Sequence, residues 1–427
     1  GRQDLSPAEP PPTFTGTLGA TTEHLRGWVE VPTGGTAREP VASRRADPVE
    51  FRSRRSQSGW KQVGVGGVLR RVGVRPRART TMNDRSTPKP TGSDPISRAD
   101  ADAMSAAIDA AESARLTSRP NPWVGAAVVD SSGAVIATGA TEPVGGRHAE
   151  VVALGRACAE GATLAVTLEP CSHHGRTPPC VEAIIAAGVA RVLIGVEDPD
   201  PRVCGGGIAA LREAGVEVVT GVLADQVEQQ LGAYLHHRRT GRPYVIAKMA
   251  ATLDGRTAAP DGTSNWITGE EARADVHRLR AESDAVLVGA GTARVDDPLL
   301  TVRHVEGPDP LRVVLGRAPE SARARPCLEW TETPEALLDH LGAEGHLQLL
   351  VEGGAETVAS LLALGLVDRL IVYLAPSIHG GSAGRPLVGG PGATTITEVA
   401  TGRFVGVHAV GRDLCIEFDP RRPEEGC

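Results

Sequence analysis

The sequence predicts an α/β fold made of two domains in series, preceded by an unstructured segment. Three observations predict it. From about residue 100 onward, short apolar runs alternate with amphipathic stretches, the pattern of strands and helices in turn. Gly and Pro clusters punctuate that alternation at the points where turns belong. A basic Arg/Thr/Gly stretch near residues 235–242 divides the pattern in two and reads as a linker. At 427 residues, 41% of them hydrophobic, the chain can fill two ordinary cores.

Composition narrows the function classes. Aromatic residues make up only 3%, so those cores rest on Ala, Val, Leu and Ile. No apolar run reaches the roughly eighteen residues of a membrane span, and no charged-then-apolar secretory start is visible. Seven irregularly spaced cysteines do not look like a disulfide framework and suggest metal ligands or thiols in a cytoplasmic enzyme. Residues 1–97 hold 16 Lys/Arg against 9 Asp/Glu, a surplus of seven; the chain carries −7, so the remainder carries −14. An acidic body argues against a nucleic-acid partner.

Residues 1–97 are rich in Pro, Gly, Ser, Thr and Arg and show neither helical nor strand periodicity. They are expected to be disordered: a flexible tail or targeting segment. An RNA-binding arm is less favoured, because the arginines are dispersed and few aromatics accompany them.

The first domain is expected over residues 98–240. Residues 100–113 read as a helix with Met104, Ile108 and Ala111 on one face. Pro120, Asn121 and Pro122 break the pattern, and strands follow at 124–129 and 134–138 about a Ser-Ser-Gly turn. His148-Ala149-Glu150 opens a helix running to about residue 159. A strand at 164–168 delivers Glu169-Pro170-Cys171 to a loop, and Cys180 starts another helix. A strand at 191–196, a helix at 207–214 and a strand at 216–220 complete the alternation, with Cys204 in a Gly-rich turn.

One His and two Cys make a three-ligand catalytic zinc site whose fourth tetrahedral position is left for water. Zinc lowers the pKa of that water toward neutrality. A carboxylate must then move protons between water, ring and departing ammonia, and Glu150, two residues after His148, suits that role. His-Ala-Glu alone is common; with Pro-Cys and a second Cys in this order it is specific. Buried structural cysteines are the plain alternative. A closed zinc site with His173 or His174 as fourth ligand is another.

Nucleoside and nucleobase deaminases place their two cysteines as C-x-x-C, whereas eight residues separate Cys171 from Cys180 here. The insert, Ser-His-His-Gly-Arg-Thr-Pro-Pro, resembles the deaminase half of the bifunctional riboflavin-biosynthesis family, whose loop reads P-C-S-H-x-G-[KR]-T-P-P-C. Asn121-Pro122-Trp123-Val124-Gly125 also resembles that family's substrate-pocket segment. The resemblance implies a cytidine-deaminase-like three-layer domain with His148, Cys171 and Cys180 on zinc and Glu150 as proton shuttle. It assigns Asn121, His173 and Arg176 to the pyrimidine and its phosphate, and Arg176 suits an anionic substrate by its chemistry. Asn121 as a turn initiator and His173 as loop packing are the plain alternatives.

The second domain is expected over residues 244–420. A strand at 244–250 runs into the turn Leu253-Asp254-Gly255-Arg256, and an amphipathic helix spans 270–282. Strands at 285–288 and 348–351 lead into Gly289-Ala290-Gly291-Thr292 and Glu352-Gly353-Gly354, the latter opening a helix near Glu356. Two strand–Gly–helix junctions offer backbone amides to anions, as dinucleotide sites require, although neither is a full GxGxxG and plain turns would look alike.

The order of motifs is more specific. Lys-x-Ala-x-Thr-Leu-Asp-Gly, Ser-x-Trp-Ile-Thr, Val-Gly-x-Gly-Thr-x-x-x-Asp-Asp-Pro-x-Leu-Thr-x-Arg and Val-Glu-Gly-Gly together resemble the reductase half of the same family. That half looks like dihydrofolate reductase in fold. The resemblance implies NADPH contacts at Ala250, Trp266, Thr268, Thr292, Asp296 and the turn formed by Gly354, Ala355, Glu356, Thr357, Val358, Ala359 and Ser360. It implies ribose-phosphate contacts at Lys248, Ser264, Arg280, Leu299, Arg303 and Glu352. Arg280 and Arg303 have the chemistry of a phosphate clamp. Lys248 is the only lysine after Lys89, so an ammonium is expected to be needed there.

The resemblance covers about residues 100–418 and implies two successive reactions. The first is hydrolytic deamination of 2,5-diamino-6-ribosylamino-4(3H)-pyrimidinone 5′-phosphate. The second is NADPH reduction of the resulting 5-amino-6-(5-phosphoribosylamino)uracil. The expected partners are small phosphorylated pyrimidines, with no nucleic acid or membrane, and a homo-oligomer, dimer or tetramer. Two departures stand out: residues 316–330 form a shorter stretch than the family's, expected to trim a peripheral loop or strand beside the cofactor, and His379 replaces an apolar residue. Residues 27–35 and 47–60 resemble a translated flavin-mononucleotide riboswitch, which places the expected translation start at or near Met82. The rival readings are a nucleic-acid-editing deaminase, disfavoured by charge and by the long Cys–Cys insert, and a zinc-stabilised flavin or nucleotide sensor.

Overall fold

A computed structural model describes residues 96–173, 178–264 and 266–421. Residues 1–95, and with them the extension and its suspected start codon, lie outside the described residues.

The first half is built on a five-stranded sheet ordered β2-β1-β3-β4-β5. Its elements are α1 (Arg98–Glu112), β1 (Gly125–Val129), β2 (Val135–Ala140), α2 (Ala149–Leu154), β3 (Thr163–Leu168), α3 (Cys180–Ala186), β4 (Arg191–Val196), α4 (Gly206–Glu213), β5 (Glu217–Thr220), α5 (Ala224–Gln230) and α6 (Gly232–Thr240). β1 runs antiparallel to both β2 and β3, whereas β3, β4 and β5 are parallel. Helix α1 starts where the Ser97 side chain accepts the Asp100 N–H at 3.1 Å, an N-cap, and it buries Ala103, Met104, Ala107 and Ala111. Its apolar stripe lies so close to β1 that a Cβ on Gly125 would sit 1.9 Å from the Ala107 carbonyl oxygen. Glycine is required there by approach, not by conformation. The strands β1, β3 and β4 read as almost continuous apolar runs because helices cover both faces of the sheet.

The second half carries an eight-stranded sheet ordered β10-β9-β8-β11-β6-β12-β15-β14. Its elements are β6 (Tyr244–Thr252), β7 (Arg256–Ala258), α7 (Glu270–Ala281), β8 (Ala285–Gly289), α8 (Ala290–Val295), β9 (Leu311–Leu315), β10 (Leu328–Trp330), α9 (Pro334–Ala343), β11 (Gln348–Val351), α10 (Ala355–Ala363), β12 (Arg369–Ala375), β13 (Arg385–Pro386), β14 (Arg403–Val410) and β15 (Asp413–Asp419). The six strands from β10 to β12 in the sheet are parallel, and β15 and β14 continue it antiparallel. A separate core fills each face, one around Leu337, Leu341 and Val358, the other around Leu279, Leu300 and Tyr373. Each fully buried aliphatic contributes about 1.5–3 kcal/mol.

Three expectations change. The helix after His148 ends at Leu154, not near residue 159, because Gly155 caps it and the chain turns at once. The expected linker at 235–242 is largely helix α6, whose Ala233, Tyr234 and Leu235 are buried and whose end is closed by Gly241 at φ 75°. Its His and Arg residues hid that buried face from a composition reading. The short 316–330 stretch keeps its edge strand, since β10 still pairs with β9, so any trimming falls on the loop. His379 is exposed; its backbone N–H and that of Gly380 donate to Asp254.

Candidate active sites

The start of α2, the loop after β3 and the start of α3 bring three ligating side chains together. His148 Nδ1 lies 3.2 Å from Cys180 Sγ and 3.6 Å from Cys171 Sγ, and all three ligand atoms fall within 4.8 Å of one another. Zinc bonds of about 2.0–2.3 Å place tetrahedral ligand atoms about 3.5–3.8 Å apart, so these residues fit the ion. The Cys180 backbone N–H donates to Cys171 Sγ at 3.4 Å, which favours a thiolate there. The Cys180 thiol hydrogen bond draws the Cys171 thiol down to about 4, and the same bond pushes Cys180 up. One proton shared between two sulfurs is what a cation displaces.

Glu150 is 4% exposed, and burial pushes its carboxyl up, opposed by the charge of His148. A cavity of about 360 Å³ holds Glu150, His148 and Cys171 together with Asn121 and His173. Arg176 lies outside the described residues.

Several lining residues escaped the sequence reading: Asp198, Asp200 and Arg202 from the loop after β4, and Tyr234 and Arg238 from α6. The charged run 197–202 was a usable signal for the first three; the linker expected at 235–242 concealed Arg238, and nothing local marked Tyr234. Glu169 was also passed over. Buried at 4% exposure, it accepts the backbone N–H groups of Asp198 (3.2 Å), Gly205 (3.0 Å), Gly207 (2.9 Å) and Ile208 (3.2 Å). That ties the strand bearing Cys171 to the loop forming the opposite wall. The approach is tight: a Cβ on Gly207 would lie 2.0 Å from the Pro170 carbonyl oxygen. Glu169→Ala leaves these donors without their acceptor and is expected to cost about 3 kcal/mol of stability. Thermal unfolding and zinc content of the purified variant check this; wild-type values for both would contradict it.

The second site lies at the carboxyl ends of β6, β8 and β11, where an α/β sheet offers its crevice. A cavity of about 880 Å³ there is lined by Lys248, Ala250 and Ser264, by Trp266 and Thr268, and by Thr292 and Asp296. Glu352, Gly354, Ala355, Glu356 and Thr357 complete its wall. Thr292 Oγ1 accepts the Gly354 N–H at 3.0 Å and so joins the two Gly-rich turns. Trp266 is 71% exposed, at φ 62°, with the Arg273 guanidinium 4.4 Å from its ring centroid.

Not every candidate reaches this wall. Val358 is fully buried in the core because α10 turns it inward, and Ala359 and Ser360 also lie off the cavity lining, Ser360 exposed. Leu299, Arg280 and Arg303 lie off it too. Arg280 is already committed: it pairs with Glu352 through two hydrogen bonds and donates to the Thr301 carbonyl at 2.9 Å. The two-arginine clamp is therefore not ready-made; Arg303, which is exposed and donates to Thr301 Oγ1 at 2.7 Å, is the freer cation. Lys248 Nζ lies 3.6 Å from the same Glu352. Burial alone would raise the Glu352 carboxyl, but Lys248 and Arg280 outweigh it and hold it down to about 2. His277, which the sequence reading missed, is buried beside this group and accepts the Arg303 backbone N–H at 3.1 Å. Burial and neighbouring cations push His277 down to about 4.

Comparison with known proteins follows the same division. Residues 97–196 match the cytidine and deoxycytidylate deaminase zinc-binding region, and residues 243–416 match the RibD C-terminal domain. The riboflavin biosynthesis protein RibD of Mycobacterium tuberculosis is 43% identical over 334 residues, which cover 75% of this chain and 97% of that protein. The chain belongs to the RibD family. RibD of Escherichia coli is 39% identical, over 74% of this chain and 98% of its own. Among solved structures, Acinetobacter baumannii RibD superposes with a TM-score of 0.71 at 34% identity, covering 76% of this chain and 99% of its own. A Thermotoga maritima family member gives 0.68 at 34% identity, with 76% and 99% covered. The fold is thus a cytidine-deaminase-like domain followed by a dihydrofolate-reductase-like domain. Like its RibD relatives, the chain is a bifunctional riboflavin-biosynthesis enzyme with deaminase and reductase activities, using zinc and NADPH.

Proposed function

We propose that residues 98–240 deaminate 2,5-diamino-6-ribosylamino-4(3H)-pyrimidinone 5′-phosphate and residues 244–420 reduce the product to the ribitylamino compound. The Thermotoga maritima relative is described as a diaminohydroxyphosphoribosylaminopyrimidine deaminase and 5-amino-6-(5-phosphoribosylamino)uracil reductase. The observation that carries the reading is the three-ligand cluster, of which His148 and Cys171 line one cavity with the buried carboxyl group of Glu150.

Zinc held at this cluster would lower the pKa of a water toward neutrality. His148, Cys171 and Cys180 hold the ion. Glu150 takes the proton of the attacking water, passes it to the ring nitrogen and then serves the departing ammonia. Burial of its carboxyl brings its proton affinity closer to that of its partners. Asn121 and His173 orient the pyrimidine, with Arg176 at the phosphate. NADPH held in the second domain would supply the hydride that C1′ of the ring-opened sugar takes up. The turn from Gly354 to Thr357, with Ala250, Trp266, Thr268, Thr292 and Asp296, binds the cofactor. Lys248 donates the proton that the opened sugar oxygen needs, and Glu352, itself anchored by Arg280, fixes the ammonium in place. Ser264, Leu299 and Arg303 bind the ribose phosphate.

The enzyme works in the cytoplasm as a homo-oligomer, a dimer or tetramer. All six cysteines among the described residues are free thiols, as suits a reducing compartment. Phe404 and Val407 are 71% and 58% exposed on the edge strand β14, where a second copy could pair. Among the described residues no helix is long and apolar enough to cross a membrane.

The zinc-loaded chain is expected to release one ammonia per phosphorylated diaminopyrimidine and then to oxidise one NADPH. Ammonia release without NADPH oxidation would leave only the first half of the reading standing.

A further inference from the structure

A phosphate ester entering the deaminase cavity needs cations to receive it. Among the described residues lining that cavity, Arg202 and Arg238 are the only Lys or Arg side chains. They share one carboxylate. Arg202 binds Asp200 with both ends, Nε to Oδ1 at 3.0 Å and Nη2 to Oδ2 at 2.6 Å, and holds that carboxyl down to about 2. Arg238 approaches the same carboxylate from α6, with Nε 3.7 Å from Asp200 Oδ2. The other acid of this loop that lines the cavity, Asp198, accepts the Tyr234 hydroxyl at 3.0 Å and the Asp200 N–H at 2.9 Å.

Arg238 is held but not satisfied. Its guanidinium lies over the Tyr234 ring, 4.9 Å from the centroid, and Nη1 meets His237 Nδ1 at 3.3 Å. Its Nε is buried and has no hydrogen-bond partner. A buried, unpaired N–H on a cation is costly unless an acceptor arrives. The two guanidiniums face two carboxylates in this wall, but Asp198 is taken by Tyr234 and a backbone N–H and Asp200 is gripped by Arg202, which leaves Arg238 the cation with donors to spare. Tyr234 and its hydrogen bond to Asp198 fix the stacked geometry in advance, which lowers the ordering cost of binding.

We propose that Arg238, backed by the Arg202–Asp200 pair, is a phosphate-binding residue of the deaminase cavity and selects phosphorylated over unphosphorylated pyrimidines. This rests on the substrate reading above. The chemistry recognised is a phosphate monoester dianion. It assigns a function to the helix joining the two halves: α6 contributes a wall of the first active site, while His237 on the same helix bonds the Gly342 carbonyl of α9 at 3.0 Å.

The test uses the full zinc-loaded chain and two variants, R238Q and R238K. Ammonia release is measured with the phosphorylated diaminopyrimidine and with its dephosphorylated counterpart. R238Q is expected to raise KM for the phosphorylated substrate about ten- to a hundredfold, the range of a charge-assisted hydrogen bond, with little change in kcat. The dephosphorylated substrate should be handled alike by wild type and variant, and R238K should fall between. Calorimetric titration with inorganic phosphate gives a readout independent of turnover. It is run in an R303Q background to reduce binding at the reductase site, and adding R238Q should weaken the remaining affinity about tenfold or more. Equal effects on both substrates, or unchanged phosphate affinity, would overturn the assignment. Should the wild type release no ammonia while R238Q still loses phosphate, the substrate reading fails and the arginine assignment stands. Unchanged zinc content and NADPH oxidation in R238Q show that the fold is intact.

Discussion

Glu150→Gln is expected to slow deamination by about 10²- to 10⁴-fold, the usual contribution of a positioned general acid–base, while zinc content and NADPH reduction stay at wild-type levels. The substitution keeps shape and volume but removes the group that can alternately hold and release a proton. Glu150 is nearly fully buried beside His148, so no other described carboxyl in the cavity is placed equally well. Glu169 is saturated by backbone N–H groups, Asp198 by Tyr234 and Asp200 N–H, and Asp200 by Arg202. Ammonia release and metal analysis on the same preparation check the prediction. Substantial turnover in the variant would remove Glu150 from the proton path.

Glu352→Gln is expected to reduce NADPH oxidation by about a hundredfold or more, leaving deamination intact. Lys248 and Arg280 both lean on this one carboxylate from a buried position, with exposures of 17% and 10% for the two cationic side chains. Without it, two cations face each other in a poorly solvated pocket, and breaking such a group costs about 3–5 kcal/mol. Lys248 would then lose the carboxylate that holds its ammonium in position, which disturbs the donor. The same residue predicts an acid limb. Its carboxyl is held at about 2 in the folded chain against an ordinary value near 4.5. The folded pKa is depressed, so the stability it contributes is complete above about pH 4.5 and is lost as pH falls toward 2. Chemical unfolding at pH 7 and pH 3.5 should show a larger loss for the wild type than for Glu352→Gln; equal losses would contradict it.

Much of this was legible in the sequence because it depends on short-range pattern. The strand Gln348–Val351 and the strand Arg191–Val196 are apolar runs bounded by polar or Gly residues, and their limits come out as expected. His148, Cys171 and Cys180 could be picked out because zinc chemistry restricts residue type and order, and the structure brings their ligand atoms together. What pattern could not reveal depends on tertiary contact. Helix α6 looked like a linker because its exposed face is basic, while Tyr234 and Leu235 hold it to the core. Arg280 looked like a free clamp because nothing local shows that Glu352, distant in sequence, has claimed it. Glu169 sat in plain view beside a zinc ligand, but its four backbone donors come from the loop after β4 and the start of α4, about thirty to forty residues on.

The most direct test of the account is X-ray absorption at the zinc edge on the full chain. Two sulfur ligands at about 2.3 Å, one imidazole at about 2.0 Å and one exchangeable light-atom ligand are expected. Two imidazoles, or a third sulfur, would show a protein side chain closing the fourth position, and the catalytic reading of the first domain would fall.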